Sequence, residues 1–307
     1  MINNGLEKRI RKEGFRGDIR HAVPMSEITS LRIGGPADII FYPLGVEDLQ
    51  LVTAVCQEHG IHCLILGNGT NLVASDKGVR EPLINLSRGL DAINVKGQTI
   101  VAEAGIGLSR LLRLCEANAL SGLEALTGIP GTVGGALRMN AGSWGVELGN
   151  LISSLTVMDA QGEIGEMKRR EVEFSYRGMN LPTDAVILRG EFSLPQGEKK
   201  EITKRMRHFL RKKKETQPLA QPSAGSIFKN PAGIPAGQLI EAAGLKGMRR
   251  GDAMISPLHA NFIVNMGKAQ ARDILGLIDM IQKRVYQTTG TMLELEVVII
   301  GEAELAA

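Results

Sequence analysis

Residues 222–231, PSAGSIFKNP, bring together three side chains that can donate hydrogen bonds: Ser226, Lys229 and Asn230. Prolines at both ends limit the backbone, and Gly225 permits a close approach beside the serine. A serine in this setting can act as a nucleophile, a proton donor, a phosphate ligand or a plain turn residue. The segment alone leaves all of these roles open.

Two glycine-rich turns could bind phosphate through their backbone amides. Residues 66–73 read LGNGTNLV after a predicted strand, and residues 128–142 read GIPGTVGGALRMNAG. Successive amides in such turns form anion-binding concavities, although the first turn alone is explained equally well as a plain turn. Two such turns far apart in the sequence favour one extended ligand with two phosphates, a dinucleotide bound without a Rossmann helix.

Several familiar site patterns are absent from the sequence. Gly105 and Gly107 follow a predicted strand, but Arg110 stands where the third glycine of a Rossmann fingerprint belongs. There is no GxxxxGK[ST], no HExxH and no GxSxG at Ser226, so a nucleophile is the weakest role for that serine. No metal site is expected, because none of the cysteines shows CxxC spacing. They are expected to pack as small apolar groups: Cys56, Cys63 and Cys115.

The elements that must position these residues alternate between strand and helix. Apolar periodicity predicts strands at 37–43, 62–67, 99–105, 184–194, 260–265 and 291–301, with a hairpin over 154–167. The same reasoning predicts helices at 46–60, 107–120, 199–217, 236–245 and 268–287. The fold class is therefore mixed α and β.

Two charged features have an ordinary and a functional interpretation. The helix at 199–217 is strongly basic, which is typical of a docked helix with a solvated face and less often indicates nucleic-acid or phosphate contact. In the last strand, Glu294 and Glu296 share a face that becomes apolar at Val298. Such a pair is usually the solvated end of a strand.

Composition narrows the class of protein. The 307 residues suggest two domains or three small ones, and 43% hydrophobic residues indicate an ordinary globular protein. A net charge of +3 and 4% aromatic residues argue against a nucleic-acid platform. No apolar run reaches the roughly 18 residues of a membrane span, and the start lacks a signal-peptide core. We therefore expect a cytoplasmic monomer without nucleic-acid or membrane partners.

Seven motifs in order along the chain are similar to those of the UDP-N-acetylenolpyruvoylglucosamine reductase family. They lie at 29–37, 66–73, 128–142, 175–177, 224–231, 259–265 and 294–301. The short interval between Tyr176 and Ser226 resembles the subclass without an extra tyrosine-bearing loop. Together the motifs cover nearly the whole chain.

The resemblance implies a fold and a reaction. The fold is α+β, with a two-part FAD-binding domain of the vanillyl-alcohol-oxidase type over 1–85 and 86–198 and a C-terminal α/β substrate-binding domain over 199–307. The reaction is reduction of the enolpyruvyl ether of UDP-N-acetylglucosamine to UDP-N-acetylmuramate for peptidoglycan. FAD is held non-covalently, and NADPH is the co-substrate. The expected partners are thus small molecules.

The resemblance also implies which residues contact the cofactor. Those expected to bind FAD are Arg32, Gly34, Gly35, Gly67, Asn68, Gly69, Thr70, Asn71, Gly131, Thr132, Gly134, Gly135, Asn140, Ala141, Gly142 and His259. His259 is explained equally well as a structural histidine.

Three residues match the catalytic positions of the family. Arg177 is expected to grip the substrate carboxylate, on which negative charge develops when hydride reaches the methylene carbon. Ser226 is expected to protonate the neighbouring carbon. Glu296 is expected to be protonated or to organise Arg177 and a water molecule, while Glu294 stays solvated. Substrate contacts are expected from Lys229, Asn230 and Lys246.

Two positions depart from the family pattern, and two other functions stay open. Met179 replaces a common serine, and Trp144 replaces a common tyrosine. The alternatives are another flavin oxidoreductase of the same fold and a non-catalytic binder of nucleotide sugars or nucleic acid. The segments 224–231 and 294–301 argue against the first alternative, since they belong to the substrate domain of the reductases.

Overall fold

The computed structural model describes residues 2–302, with side chains from Gly5 onward. The chain folds into two compact units. The first unit contains the chain up to His21, Ile39–Asn68 and Glu81–Arg211, and the second contains Ala22–Asp38, Gly69–Arg80 and the chain from Lys212. The boundaries predicted at 85/86 and 198/199 stay a prediction.

The helices are α1 Ile2–Lys12, α2 Val46–Glu58, α3 Leu108–Ala117, α4 Val133–Arg138, α5 Lys199–Thr216, α6 Ala236–Ala242 and α7 Ala271–Thr289. The strands are β1 Asp18–Pro24, β2 Pro36–Tyr42, β3 Leu64–Leu66, β4 Leu72–Ala74, β5 Leu83–Asn85, β6 Ile93–Lys96, β7 Thr99–Glu103, β8 Gly142–Ser143, β9 Val146–Glu147, β10 Ile152–Met158, β11 Ile164–Lys168, β12 Phe174–Ser175, β13 Gly178–Met179, β14 Val186–Ser193, β15 Ser223–Ser226, β16 Arg249–Arg250, β17 Ala253–Ile255, β18 Phe262–Asn265 and β19 Val298–Ile300. The predicted long helices and most predicted strands are thus present with somewhat different bounds, whereas only Val298–Ile300 of the predicted strand 291–301 is strand.

A small, largely parallel sheet begins the first unit. Its strand order is β1-β2-β5-β3, and β5 runs parallel to both β2 and β3. The predicted strand–helix–strand unit β2–α2–β3 is present, but β5 lies between its two strands. Ile39 and Phe41 of β2 pack with Leu49 and Val52 of α2, and all four side chains are fully buried.

A five-stranded antiparallel sheet, with strand order β11-β10-β14-β7-β6, completes the first unit. The predicted hairpin joins β10 to β11 through a turn that closes with the Asp159 amide on the Glu163 carbonyl oxygen at 2.9 Å. Leu108, Leu111 and Leu137 from α3 and α4 are fully buried in the core beside this sheet. This core holds the glycine-rich segment 128–142 in place.

The second unit contains a four-stranded sheet of order β15-β18-β17-β16 beside helices α6 and α7. The buried face of α7 carries Ile274, Leu277 and Ile281 at helical spacing. Strand β19 pairs in parallel with β4. Apolar alternation along the final strand predicts one shared face for Leu293, Leu295, Val297 and Ile299, and this is wrong at its end, since Ile299 is 45% exposed and Ile300 is buried.

The basic helix α5 agrees with its ordinary interpretation. Ile202 is buried, Thr203 donates to Glu116, and the Arg205 guanidinium lies 2.6 Å from Glu124 Oε1. The exposed cationic side chains face a shallow cavity. In the described part of the chain, no helix is both long and apolar enough to cross a membrane.

Candidate active site

Ser226 lies at the end of a bulged strand in the second unit. Ser223 pairs with Val264 and Ser226 with Phe262, so β15 contains one more residue than the stretch of β18 opposite it. Gly225 has a φ of 79°, and the neighbouring Ala224 is buried in the core. Among the residues that the structure describes, nothing hydrogen-bonds to the half-buried Ser226 hydroxyl. That hydroxyl is available to a ligand.

Glu296 lies on the segment that runs beside the residues following Ser226. Its amide donates to the Ile227 carbonyl oxygen at 2.8 Å, and Phe228 bridges to Leu295 in antiparallel fashion. The Asn71 side-chain amide donates to the Glu296 carbonyl oxygen at 2.9 Å. The structure therefore brings Ser226 and Glu296 onto neighbouring segments, with Asn71 holding the backbone of the second.

Asn261 fixes the chain after Ser226 from the other side. Its side chain accepts from the Phe228 amide at 3.0 Å and donates to the Phe228 carbonyl oxygen at 2.8 Å, and its own carbonyl accepts from Ile227. Sequence reasoning missed this residue. The signal for it was an asparagine inside the apolar strand ANFIVN, where a buried amide must find partners.

The predicted substrate residues are partly engaged by the protein. Lys229 Nζ lies 3.6 Å from Glu294 Oε2, and the Glu294 side chain is 77% exposed, as expected for a solvated carboxylate. Asn230 Oδ1 accepts from the Ala236 amide at the start of α6 at 3.0 Å. Lys246 Nζ lies 2.7 Å from Glu241 Oε1. Their substrate contacts stay a prediction.

His259 has the contacts of a structural histidine. Its Nδ1 accepts from the Asn261 amide at 3.3 Å, and its ring meets Phe262 edge to face at 4.8 Å. Burial lowers the pKa of His259, and the Lys246 charge acts in the same direction. A neutral imidazole here supports Asn261, and the predicted FAD contact stays untested.

Arg177 belongs to the first unit, where it occupies the turn between β12 and β13. Its φ is 57°, its guanidinium stacks over the Tyr176 ring at 4.9 Å, and Nη2 donates to the Gly142 carbonyl oxygen at 3.3 Å. Met179, the departure from the family pattern, pairs with Phe174 and packs on the core. An apolar partner therefore occupies the place of the common serine.

The two glycine-rich turns meet within the first unit. A methyl group added to Gly67 would lie 2.3 Å from Thr132 Oγ1, so the two turns touch at this point. Several backbone amides in these turns donate to no group among the described residues, including those of Gly67, Asn68, Gly131 and Thr132. Free amides on two touching turns match the donor set that a pyrophosphate needs.

Fewer backbone amides of the second turn, residues 128–142, are free to bind a ligand than the sequence suggested. Val133 and Gly134 donate to the Ile106 and Ala104 carbonyl oxygens at 2.8 Å, and Gly135 donates to Thr132 Oγ1 at 3.3 Å. The sequence pattern of this turn suggested successive free amides, and this is wrong for Val133, Gly134 and Gly135. The start of α4 packs against residues 104–107 and uses those donors itself.

Several other residues predicted to bind FAD make backbone hydrogen bonds within the unit to which they belong. The Gly35 amide donates to the Ser75 carbonyl oxygen, Gly34 accepts from Ser26, and exposed Arg32 donates its amide to Thr29. Ala141 accepts from the Leu148 amide at 2.9 Å. Cofactor contacts from these residues, and from Gly69 and Thr70, stay predictions.

One buried lysine was missed by sequence reasoning. The Lys213 side chain is 2% exposed, and no acidic partner is found for it in the described part of the chain. Burial lowers its pKa to about 8. Ile202, Met206, Phe209 and Lys213 follow one another at steps of 4, 3 and 4 residues, which places Lys213 on the apolar stripe of α5. That spacing was the signal.

Comparison with known proteins identifies the class. Residues 37–168 match the family model described as FAD binding domain, and residues 217–300 match that of UDP-N-acetylenolpyruvoylglucosamine reductase, C-terminal domain. The fold and the site thus define a flavoprotein oxidoreductase.

Relatives then identify the family. Reductases from Syntrophus aciditrophicus and Clostridium novyi are 46% and 40% identical, and each alignment covers at least 97% of both chains. The crystal structure of the reductase from Thermus caldophilus superposes with a TM-score of 0.79 at 36% identity, covering 93% of this chain and 99% of that one. The chain belongs to the UDP-N-acetylenolpyruvoylglucosamine reductase family. The predicted family, fold class and FAD cofactor are confirmed.

Proposed function

We propose that this protein reduces the enolpyruvyl ether of UDP-N-acetylglucosamine to UDP-N-acetylmuramate, with NADPH as the electron donor, for peptidoglycan synthesis in the cytoplasm. The observation that carries the proposal is the half-buried Ser226 hydroxyl, which hydrogen-bonds to none of the described residues and lies on a segment that runs beside Glu296. The family membership supports it.

The amides of Gly67, Asn68, Gly131 and Thr132 would hold the pyrophosphate of FAD, because they are unused donors on touching turns. When bound, FAD supplies the hydride that adds to the methylene carbon of the substrate. The protein must then stabilise negative charge on the substrate carboxylate and protonate the adjacent carbon.

Arg177 stabilises the developing charge. A guanidinium keeps its charge and can make two parallel hydrogen bonds to a carboxylate. Losing one such electrostatic contact typically raises a barrier by about 2.7–4 kcal/mol. The stacking on Tyr176 and the bond to Gly142 hold the guanidinium in one direction before substrate arrives.

Ser226 protonates the carbon next to the carboxylate. A hydroxyl is a weak acid, but a carbanion-like carbon is a strong base, so the transfer runs downhill. Glu296 assists as a protonated carboxyl group or by ordering a water molecule. Lys229 and Asn230 bind phosphate or sugar groups of the substrate.

The test is a two-step optical experiment on the purified protein. We expect a yellow protein that NADPH bleaches and that the enolpyruvyl substrate, added without oxygen, restores to yellow. A colourless protein that takes up no FAD contradicts the enzyme function and favours a non-catalytic binder. Bleaching without restoration favours another flavin oxidoreductase.

A further inference from the structure

Asn140 is a completely buried polar residue beside the Arg177 turn, with 0% exposure and a φ of 42°. Its Nδ2 donates to Glu147 Oε2 at 2.9 Å and to the Ser175 carbonyl oxygen at 2.9 Å. Its Oδ1 accepts from the Gly149 amide at 3.0 Å. These bonds use both amide hydrogens and the carbonyl oxygen, so the side chain has no donor left for a cofactor.

These bonds join two pieces of the first unit. One piece is the segment 140–149, which contains the β8–β9 hairpin, and the other is the β12–β13 hairpin that carries Arg177. The two pieces also pack tightly, since a methyl group added to Gly149 would lie 2.5 Å from the Phe174 ring. Arg177 itself donates to Gly142 in the first piece.

We propose that Asn140 is a positioning residue for Arg177 rather than a side-chain ligand of the cofactor. The proposal rests on the function proposed above for Arg177. Ser175 directly precedes the Tyr176–Arg177 turn, so the bond from Asn140 to its carbonyl fixes where the turn begins. Arg177 and Asn140 both have positive φ, a conformation that surrounding contacts must hold in place.

Only an asparagine satisfies all three contacts at this position. An aspartate of nearly the same shape could still accept from Gly149, but it could not donate to Ser175. It would also set a second carboxylate against Glu147. Glutamine carries the same groups on a longer stem, for which a fully buried site has no space.

The test compares the two half-reactions in Asn140→Asp. NADPH should bleach the bound flavin at the wild-type rate, and FAD content per chain should be unchanged. Reoxidation at saturating enolpyruvyl substrate should slow by about 10²-fold, because a small misplacement of a catalytic group can cost that much. Asn118→Asp, the same change at an exposed site directly after α3, should behave as wild type.

Two further variants decide the matter if Asn140→Asp does not fold. Glu147→Ala removes a single acceptor and should slow reoxidation several-fold with normal bleaching. In an Arg177→Ala background, Glu147→Ala should add no further loss, since Glu147 is proposed to act through Arg177.

Three results overturn the proposal: loss of FAD, equal slowing of both half-reactions, or an additive loss in the Arg177→Ala background. Unimpaired reoxidation in Asn140→Asp also contradicts the proposal that Asn140 positions Arg177, but it leaves the proposed function intact. A wild-type protein that the substrate fails to reoxidise contradicts the proposed function, and this proposal falls with it.

Discussion

Replacing Ser226 by alanine removes one hydroxyl that hydrogen-bonds to no other described group, so the fold should be unaffected. NADPH should still bleach the flavin in Ser226→Ala. Reoxidation by the enolpyruvyl substrate should slow by about 10²–10⁴-fold, the usual contribution of a positioned acid. Stopped-flow absorbance of the flavin measures both steps. Ser109→Ala, at an exposed position of α3, is the control, and near-normal reoxidation of Ser226→Ala would show that another group donates the proton.

A second prediction for a single residue concerns the buried Lys213. Its folded pKa of about 8 lies below the value of about 10.4 in an unfolded chain. Between these values the unfolded chain binds more protons, so the free energy of unfolding of the wild type rises with pH. Lys213→Met should therefore be more stable at pH 7, by about 1–3 kcal/mol, and its advantage should shrink from pH 8 to 10.

Urea denaturation at three pH values measures the difference between Lys213→Met and wild type. The exposed Lys214→Met serves as the control and should show no such trend. A constant difference at every pH would mean that the ammonium has a partner in solution that relieves its burial.

At the scale of the element, the bulge in β15 sets the direction of Ser226. Gly225 has a φ of 79° and no neighbouring atom within 4 Å of an added methyl group, so only backbone strain opposes a substitution. Asparagine tolerates this conformation better than alanine, and valine tolerates it least. Stability should fall by about 1–3 kcal/mol for Gly225→Val and by less for Gly225→Asn.

Reoxidation rates of the Gly225 variants should follow the same order, because a relaxed bulge turns the serine away. Thermal unfolding and stopped-flow absorbance measure the two effects. Equal rates in Gly225→Asn and Gly225→Val would show that the bulge does not direct Ser226.

Within the segment 259–265, the buried His259 is expected to make the free energy of unfolding depend on pH. Burial holds the pKa of His259 below its usual value, so below about pH 6.5 the unfolded chain binds a proton that the folded chain does not. The free energy of unfolding should fall as pH drops through this range and level off below the folded pKa. His259→Gln should lose that part of the slope, whereas His62→Gln, at an exposed site, should keep it. Denaturation at pH 8, 6.5 and 5.5 tests this, and identical slopes in all three proteins would contradict it.

For the whole molecule, local periodicity predicted the long helices and most long strands, because apolar spacing is a property of consecutive residues. The pairing of 227–229 with 294–296 was out of reach, since it joins residues almost seventy positions apart. The role of Asn140 could not be predicted from the sequence for a different reason. Within its motif it was expected to bind FAD, and only tertiary contacts show that Glu147, Ser175 and Gly149 use its whole side chain.

Binding of FAD is expected to raise the free energy of unfolding of the whole chain, because its proposed pyrophosphate donors lie on two turns that touch only in the folded state. A ligand that binds only the folded state stabilises it by about 2.7 kcal/mol when its concentration is a hundred times its dissociation constant, so added FAD should raise the unfolding temperature.

Gly67→Ala would force a methyl group against the Thr132 side chain and push the two turns apart. It should lower the free energy of unfolding by about 1–3 kcal/mol without ligand. The same variant should bind FAD at least tenfold more weakly and show a smaller thermal shift. Gly165→Ala, whose added methyl group meets no atom within 4 Å, should match wild type in both measurements. A full FAD-dependent shift in Gly67→Ala would place the pyrophosphate elsewhere.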